Sequence, residues 1–428
     1  MRLLFIRLSA LGDVVHALPA AFNIKNRLPD TRLTWIVEPP QLELLENNPL
    51  VDEVIVMPKS AWVSGILNAE KCPSVLREMN EFVSDLVERR FDVAIDLQGL
   101  MKSAFIGYIS GAPIRIGYGG TKEKADLLYT HRLPVSDFRA PDKHVVDLHM
   151  ELSEYLLRIL GKSDVESSAE VKFLLPPPSS KTISKVGMLL NDQKNLVSNI
   201  GDDAVSGAGQ KAVKPLSEGG GTVLSVSGSE TGDSKVTDKD MVASGQSNFA
   251  VGSNKDSKKE LVLIPGTTWE TKIWPYENWA DLSQMLVTKY DSRIILVGGP
   301  SDIETNRNIK NSIESLCPQA RVIDLTGRTV ISDLVELFKK VGMVIGLDTG
   351  PLHLAAAVGA CPVLAIHGST PWGRNGPYGE QCHTVHLDLD CQPCFKRICP
   401  IETKECLTEL TARHVFDRIE ALTESWDD

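Results

Sequence analysis

The sequence predicts an α/β protein made of two doubly wound domains, each with its own parallel sheet. Short apolar runs alternate with stretches of helical periodicity in both halves of the chain, and a stretch almost devoid of aromatic residues separates the halves. The chain has 428 residues, of which 42% are hydrophobic and 24% charged, so its size and composition suit two globular domains.

The first domain is expected over residues 1–178. Its strands are predicted at Leu3–Arg7, Leu33–Val37, Val54–Met57 and Val93–Leu97. These runs are apolar almost throughout, which is typical of parallel strands buried on both faces. Apolar residues at helical spacing after Asp13 predict a helix, and a second helix is predicted at Val75–Arg89.

Residues 179–258 are expected to link the two domains. A helix is predicted over Ser179–Asn191, and beyond it small and charged residues dominate, with Phe249 the one aromatic side chain. Such a composition cannot bury enough apolar surface to offset its ordering entropy. We therefore predict a disordered insertion at about 192–258, with a regulatory or docking segment as the alternative.

The second domain is expected over residues 259–428, ending in a cysteine-rich tail and a helix. Its strands are predicted at Leu261–Ile264, Ile294–Val297, Val322–Leu325, Val344–Leu347 and Pro362–Ile366. Helices are predicted at Glu277–Tyr290 and Ile331–Val341, and from near Pro351. Ligands of open parallel sheets bind at the carboxyl ends of the strands, so we expect the two domains to face a ligand-binding cleft.

Charge and composition exclude several classes of protein. The chain has 56 acidic and 45 basic residues, a net charge of −11, which argues against a nucleic-acid partner. No apolar run approaches the roughly 20 residues needed to span a bilayer. Arg7, Asp13 and His16 interrupt the region that a secretory signal keeps apolar, so we expect a cytoplasmic protein.

One loop of the second domain predicts an anion site. Asp348, Thr349 and Gly350 stand between an apolar strand and the helix that begins near Pro351. The backbone N–H groups of Thr349 and Gly350 would lie at the helix N-terminus, which suits a phosphate or diphosphate. The simpler interpretation is that the side chain of Asp348 or Thr349 caps the helix.

A second loop, Pro265–Pro275, carries two hydroxyl groups and a cation, on Thr267, Thr268 and Lys272. Lys272 would stabilise a departing diphosphate, and a solvated loop lysine is the alternative. Farther along, Glu304 would bond a ribose hydroxyl, although surface glutamates are common. These residues favour a nucleotide diphosphate as ligand.

In the first domain, Asp13 is predicted at the N-terminus of a helix, where it is either an N-cap or a general base. Residues 101–145 have a local net charge of +3, which would attract an anionic acceptor. The basic residues of this stretch are Lys102, Arg115, Lys122, Lys124, Arg132, Arg139 and Lys143, with His131 and His144 as further hydrogen-bonding groups. An ordinary solvated surface is the alternative.

Four of the eight cysteines lie close together in the tail, at Cys391, Cys394, Cys399 and Cys406. The first two have the spacing of half a zinc or iron–sulfur site, but the later spacings fit no standard pattern. We expect reduced thiols and no functional metal. The chain also lacks a P-loop, a Gly-x-Gly-x-x-Gly after the first strand and a Gly-x-Ser-x-Gly elbow, so kinase, dehydrogenase and hydrolase interpretations lack their signatures.

Taken together, the motifs resemble those of the lipopolysaccharide heptosyltransferases, glycosyltransferase family 9, which have the GT-B fold. The matching segments are Arg7–Pro19, Asp96–Leu100 with Lys102, Gly266–Thr268 with Lys272–Pro275, and Asp348–His353. The N-terminal motif is similar to type I enzymes, whereas the cysteine-rich tail is more similar to some type II members. The insertion departs from the family pattern.

The resemblance implies an ADP-heptose donor bound by the second domain and an anionic, lipid-linked Kdo acceptor bound by the first. By resemblance, Asp13 is the general base of a single inverting displacement and Lys272 stabilises the leaving ADP. The implied donor-binding residues are Thr267, Thr268, Lys272, Glu304, Asp348, Thr349, Gly350 and His353. The implied acceptor-binding residues are Ser9, Gly12, Lys102, Arg115 and His144.

The same resemblance implies peripheral contact with the cytoplasmic face of the inner membrane. We expect no obligatory cofactor or metal, and leave stimulation by a divalent cation open. One alternative is a family 9 transferase with another acceptor, such as an inner-core heptose, or another nucleotide sugar. The other is a nucleotide-sugar-binding protein without turnover, against which the presence of both Asp13 and Lys272 argues.

Overall fold

The computed structural model describes residues 1–121, 123–135, 140, 143–162, 170–191, 223–225 and 259–423. The predicted disordered insertion thus lies outside the described residues, apart from 223–225, as do Lys122 and Arg139 of the basic stretch. Two compact units are present. The first comprises Met1–Leu224, Arg328–Leu337 and Pro371–Asn375, and the second Ser225–Gly327, Phe338–Thr370 and Gly376–Asp428.

The sheet of the first unit has the strand order β6-β5-β4-β1-β2-β3-β7. Its strands are β1 (Arg2–Ile6), β2 (Arg32–Val37), β3 (Glu53–Val56), β4 (Val93–Asp96), β5 (Ile114–Tyr118), β6 (His131–Leu133) and β7 (Val223–Ser225). The pairs from β1 to β6 are all parallel. Residues Leu3–Ile6 at its centre are fully buried, as the continuous apolar run predicts.

Helices cover this sheet. They are α1 (Leu11–Arg27), α2 (Leu42–Leu45), α3 (Lys59–Ile66), α4 (Cys72–Glu88), α5 (Met101–Ile109), α6 (Val145–Ile159) and α7 (Ser180–Asn191). Two further helices of this unit come from later in the sequence: α10 (Ile331–Phe338), which belongs to the unit as far as Leu337, and α12 (Trp372–Asn375). The Glu43 carboxylate accepts hydrogen bonds from the backbone N–H groups of Ile331 and Ser332, at 2.9 and 3.0 Å, and so caps α10.

The sheet of the second unit is parallel throughout, with the strand order β10-β9-β8-β11-β12-β13. Its strands are β8 (Glu260–Ile264), β9 (Arg293–Leu296), β10 (Arg321–Asp324), β11 (Met343–Leu347), β12 (Val363–Ile366) and β13 (Cys382–Val385). Its helices are α8 (Tyr276–Tyr290), α9 (Ile303–Leu316), α11 (Gly350–Val358), α13 (Glu405–Thr408) and α14 (Ala412–Thr423). Trp274 and Trp279 meet edge to face in its core, 4.9 Å apart.

Both sheets reverse their strand order at one point, which fixes where a ligand can bind. In the first unit the chain runs outward from β1 through β2 and β3, then outward from β4 through β5 and β6 on the other side. In the second unit the reversal lies between β8 and β11. Loops that follow the two strands at such a point diverge and leave a crevice.

The predicted fold class is confirmed, and every strand predicted from an apolar run is present within one residue of its expected ends. The helix predicted at Ile331–Val341 ends earlier, at Phe338. Strands β5, β6 and β13 were not predicted, because Arg115, His131 and His383 interrupt their apolar character. Strand β7 was not predicted either, since it falls in the insertion predicted to be disordered. Among the described residues, no helix is both long and apolar enough to cross a membrane.

Candidate active site

The strongest candidate site lies at the reversal point of the second unit, between the loops after β8 and β11. Lys272, in the first loop, donates a 2.7 Å hydrogen bond to Oδ2 of Asp348, in the second. The pair is largely buried, with 13% and 6% of the two side chains exposed. The sequence predicted both residues, and the structure adds that they form one ion pair.

Asp348 also binds two side chains of its own unit. His353 Nε2 lies 3.0 Å from Oδ1, and the Thr370 hydroxyl donates to Oδ2 at 2.8 Å. Burial alone would raise the pKa of the Asp348 carboxyl, but the hydrogen bond from His353 and the charge of Lys272 hold that pKa well below its usual range. Asp348 is therefore an ionised anchor that fixes Lys272 and His353.

The neighbouring His367 completes this buried cluster. Its Nδ1 lies 3.3 Å from the Thr370 hydroxyl, and burial lowers the pKa of the imidazole to about 4. His367 is thus neutral at physiological pH and adds no charge to the site. Neither His367 nor Thr370 was predicted from the sequence, because both follow β12 and belong to none of the recognised motifs.

The N-terminus of α11 lies beside this cluster. Thr349 is at the N-cap position, but its side chain makes no capping hydrogen bond, and the Asp348 carboxylate is bound to Lys272, His353 and Thr370. The interpretation that either side chain caps the helix is therefore wrong. A helix start without a side-chain cap keeps its positive end available to an anion.

The remaining predicted donor residues lie at the same edge of the sheet. Thr267 is half-buried and Thr268 exposed in the loop after β8, while Glu304 is exposed in the first turn of α9, after β9. Gly266 leaves room for Asp302, whose Oδ2 would lie 2.4 Å from a β-carbon at position 266. That close approach between the ends of β8 and β9 explains the glycine at 266.

The reversal point of the first unit holds a second charged pair. Arg7 follows β1, and its guanidinium lies 2.5 Å from Oδ1 of Asp13, in the first turn of α1. The Asp13 side chain is 40% exposed, whereas only 7% of Arg7 is exposed. Asp13 also accepts the backbone N–H of Ala10 at 3.0 Å, and Ala10, not Asp13, is the N-cap residue.

Arg7 is held in turn by the loop after β4, since its guanidinium donates to the Leu97 carbonyl at 2.6 Å. Asp96 organises that loop by accepting the backbone N–H groups of Gln98 and Gly99, at 2.8 and 3.2 Å. The Tyr129 hydroxyl donates to the same carboxylate at 2.6 Å. The family motif that begins at Asp96 therefore supports Arg7, and through it the orientation of Asp13.

The predicted acceptor residues occupy different surroundings. Ser9 and Lys102 both lie near Oε1 of Glu38, at 3.4 and 3.6 Å, so these two predicted residues are brought together. Burial, and then the charge of Lys59, lowers the pKa of Lys102. Gly12 is buried in the first turn of α1.

Arg115 and His144 contribute to the structure of the first unit. The Arg115 guanidinium donates to the carbonyls of Leu128 and Ala112, at 3.0 and 2.8 Å. The His144 ring accepts the backbone N–H of Val146 at 3.1 Å and so caps α6. Their role toward an acceptor stays a prediction.

The four tail cysteines line one small cavity, together with Thr271 and Ser369. All four are free thiols. In the described part of the chain, no group of three or more His, Cys, Asp or Glu side chains is arranged to hold a metal ion. The cavity therefore brings together cysteines that are up to 15 residues apart in sequence, from Cys391 to Cys406. That they bind no functional metal stays a prediction.

Comparison with known proteins bears on what this site does. The family model described as glycosyltransferase family 9 (heptosyltransferase) matches residues 79–173 and 229–405, more than half of the chain. The chain belongs to glycosyltransferase family 9. The motifs at Asp96, Lys272 and Asp348 all lie within the matched residues of this family 9 chain.

Relatives of this family 9 chain match it over almost its full length. Lipopolysaccharide heptosyltransferase 1 of Pseudomonas aeruginosa is 24% identical, covering 99% of this chain and 98% of its own. A structure of Escherichia coli heptosyltransferase WaaC with ADP-2-deoxy-2-fluoro heptose matches with a TM-score of 0.62 at 20% identity, covering 98% and 99%. That of E. coli ADP-heptose heptosyltransferase II scores 0.64 at 18% identity, covering 100% of both chains. The family 9 chain therefore shares their fold.

Proposed function

We propose that this chain is an inverting glycosyltransferase that moves L-glycero-D-manno-heptose from ADP-heptose to the Kdo region of the lipopolysaccharide inner core. The observation that carries the proposal is the buried Lys272–Asp348 pair beside the α11 N-terminus, in a member of family 9. A cation and the positive end of a helix together suit a diphosphate leaving group. The full-length similarity to a lipopolysaccharide heptosyltransferase supports the sugar and the acceptor.

In the proposed donor complex, Lys272 and the N–H groups at Thr349 and Gly350 bind the diphosphate. The hydroxyl groups of Thr267 and Thr268 donate to its oxygens, and Glu304 binds the ribose. Asp348 and His353 act through Lys272 and the α11 turn, since the Asp348 carboxylate is fully engaged within its own unit.

In the proposed reaction, an acceptor hydroxyl oxygen attacks the anomeric carbon as the bond from that carbon to the β-phosphate oxygen breaks. Asp13 takes the proton of the hydroxyl, and ADP leaves with the electron pair of the broken bond. One displacement inverts the anomeric configuration. Asp13 suits this role because it is partly exposed and oriented by Arg7 and the Ala10 amide. The reaction needs no obligatory cofactor.

The acceptor proposal rests on charge and on the arrangement of the first unit. Kdo and lipid A are anionic, and Lys102 lies beside Ser9 and Glu38 near the start of α1. Gly12 is proposed as a further acceptor residue, because a glycine at the start of α1 has no side chain to obstruct a sugar. Arg115 and His144 complete the proposed acceptor set.

Membrane contact is proposed on an exposed stripe of α5. Met101, Phe105 and Tyr108 are spaced by four and three residues, so they share one face of the helix, and they are 38%, 52% and 52% exposed. The Arg115 guanidinium lies 5.6 Å from the centroid of the Tyr108 ring. Aromatic and basic groups together suit an anionic bilayer surface. We place the protein at the cytoplasmic face of the inner membrane, where its lipid-linked acceptor would lie.

The deciding experiment is transfer from ADP-heptose to a Kdo-bearing lipid A acceptor, followed by mass spectrometry. Wild type should add one heptose mass, and Asp13→Asn should add none while binding ADP within a few-fold of wild type. ADP binding without any product would favour another sugar or another acceptor, such as an inner-core heptose. Product formation by Asp13→Asn would remove Asp13 as the base.

A further inference from the structure

A second cation lies close to the Lys272 loop, on the cysteine-rich segment that no motif of the donor site includes. The Trp269 ring has the Lys272 ammonium 4.6 Å from its centroid and the Arg397 guanidinium carbon 5.0 Å from it. Phe395 packs edge to face on the same ring at 5.7 Å. Trp269 therefore links the two cations, each within cation–π distance.

The two cations differ in how their charge is balanced. Lys272 is buried and paired with the Asp348 carboxylate, so the pair as a whole carries no net charge. The acidic residue of the Lys272 loop itself, Glu270, is paired with Lys404 at 2.9 Å. Arg397 is exposed and has no ion pair with any residue that the structure describes. Of the two cations beside Trp269, Arg397 is therefore the one without a counter-charge among the residues described in the structure.

The backbone around Arg397 is fixed to the same loop. The Thr271 hydroxyl, next to Lys272, donates to the Lys396 carbonyl at 2.5 Å, and the Ser369 hydroxyl donates to Thr271 at 2.9 Å. The Phe395 N–H donates to the Ser369 carbonyl at 2.7 Å. Thr271 and Ser369 are both buried, so the bond between them is shielded from water. Arg397 is thus held against Trp269, a residue of the Lys272 loop, although Arg397 and Lys272 are far apart in sequence.

We propose that Arg397 binds the diphosphate of the donor and stabilises it as the leaving group, a proposal that rests on the proposed function of the Lys272 site. A neutral Lys272–Asp348 pair leaves the charge that develops on the diphosphate only partly balanced. A guanidinium supplies that charge and forms two parallel hydrogen bonds to phosphate oxygens. Arg397 is then a donor-binding residue, and Trp269 sets its distance from Lys272.

The test compares Arg397→Ala with Lys396→Ala, which removes an exposed cation from the adjacent position. ADP and adenosine binding are measured by calorimetry on the full chain, and melting temperatures confirm that each variant folds. Arg397→Ala should weaken ADP binding about ten-fold, because a charged hydrogen bond is lost, and leave adenosine binding unchanged. Arg397→Lys should recover part of the loss, and Lys396→Ala should bind both ligands as wild type does.

Three results would overturn the proposal. Arg397→Ala binding ADP as tightly as wild type would remove Arg397 from the site. Equal weakening by Lys396→Ala would indicate a general effect of net charge, and equal weakening of adenosine would indicate a structural one. Failure of the wild type to bind ADP at all would instead refute the proposed function, and this inference with it.

Discussion

Lys272 and Asp348 form a buried ion pair of 2.7 Å that joins the two loops at the reversal point of the second sheet. The pair fixes the lysine at one place, because the carboxylate is held in turn by His353 and Thr370. A preformed cation needs no rearrangement when negative charge develops next to it. The arrangement is thus suited to a charged leaving group.

Lys272→Ala should lower kcat/KM for the donor by about 100-fold, because it removes a cation positioned for the leaving group. It should also lower the melting temperature, since Asp348 remains buried without its main counter-charge. Steady-state kinetics and thermal denaturation measure the two effects. Lys404→Ala, which removes another lysine bound to the same loop, is the control. Unchanged kinetics in Lys272→Ala would place Lys272 outside the active site.

Arg7→Lys should slow turnover by roughly ten-fold or more while leaving the affinity for ADP unchanged. Lysine keeps the charge but cannot bond the Leu97 carbonyl and the Asp13 carboxylate together as the guanidinium does. Asp13 would then lose its orientation toward an acceptor hydroxyl. Single-turnover rates and ADP binding separate the two effects. A matching loss of ADP affinity would show that the substitution perturbs the whole chain.

Stability should fall as the pH falls from 6.5 toward 4, in part because of His367. Its pKa is lowered by burial to about 4, from 6.5 in an accessible histidine, so the unfolded chain binds more protons in this range. The contribution of His367 to the free energy of unfolding is therefore complete above pH 6.5, and it falls by up to about 3 kcal/mol as the pH approaches 4. Urea unfolding at pH 7 and pH 5 measures the slope. His367→Gln should have a shallower slope, and an unchanged one would contradict this assignment.

Cys399 should be alkylated at a lower pH than Cys361 and Cys382. The backbone N–H of Lys404, with those of Ile401, Glu402 and Thr403, lowers the pKa of its thiol, and a thiolate is the reactive form. Burial raises the pKa of Cys361 and of Cys382 to about 12, so they serve as internal controls. Iodoacetamide labelling across pH, followed by peptide mass spectrometry, ranks the thiols. Labelling of Cys361 before Cys399 would contradict the prediction.

Much of the fold could be predicted because parallel strands that are buried on both faces have almost continuously apolar sequences. Strand β13 lacks such a run, since Cys382 and His383 interrupt its apolar character. Charged residues could be assigned to loops but not to partners. Arg7 is oriented toward Asp13 by the Leu97 carbonyl, which follows β4. This contact depends on the pairing of β1 with β4, which cannot be predicted from the spacing of residues in the sequence.

The donor site shows the same limit. Lys272 and Asp348 are 76 residues apart, and their contact follows from the pairing of β8 with β11. Arg397 lies in a cysteine-rich segment whose spacing suggested a metal site, and it is far from Trp269 in sequence. Its contact with Trp269 could therefore not be predicted. Motifs therefore identified the loops, whereas the sheet order determined which side chains meet.

The capping of α10 by Glu43 has a consequence for how the protein is made. Lys185 also pairs with Asp333. The side chains of Glu43 and Lys185, in the first half of the chain, thus bind partners that are about 150 residues or more farther along the sequence. A nascent chain that ends at the midpoint of the sequence lacks α10, so it contains Glu43 and Lys185 without these partners. The first unit can therefore be complete only after Ser225–Gly327 of the second unit has been translated.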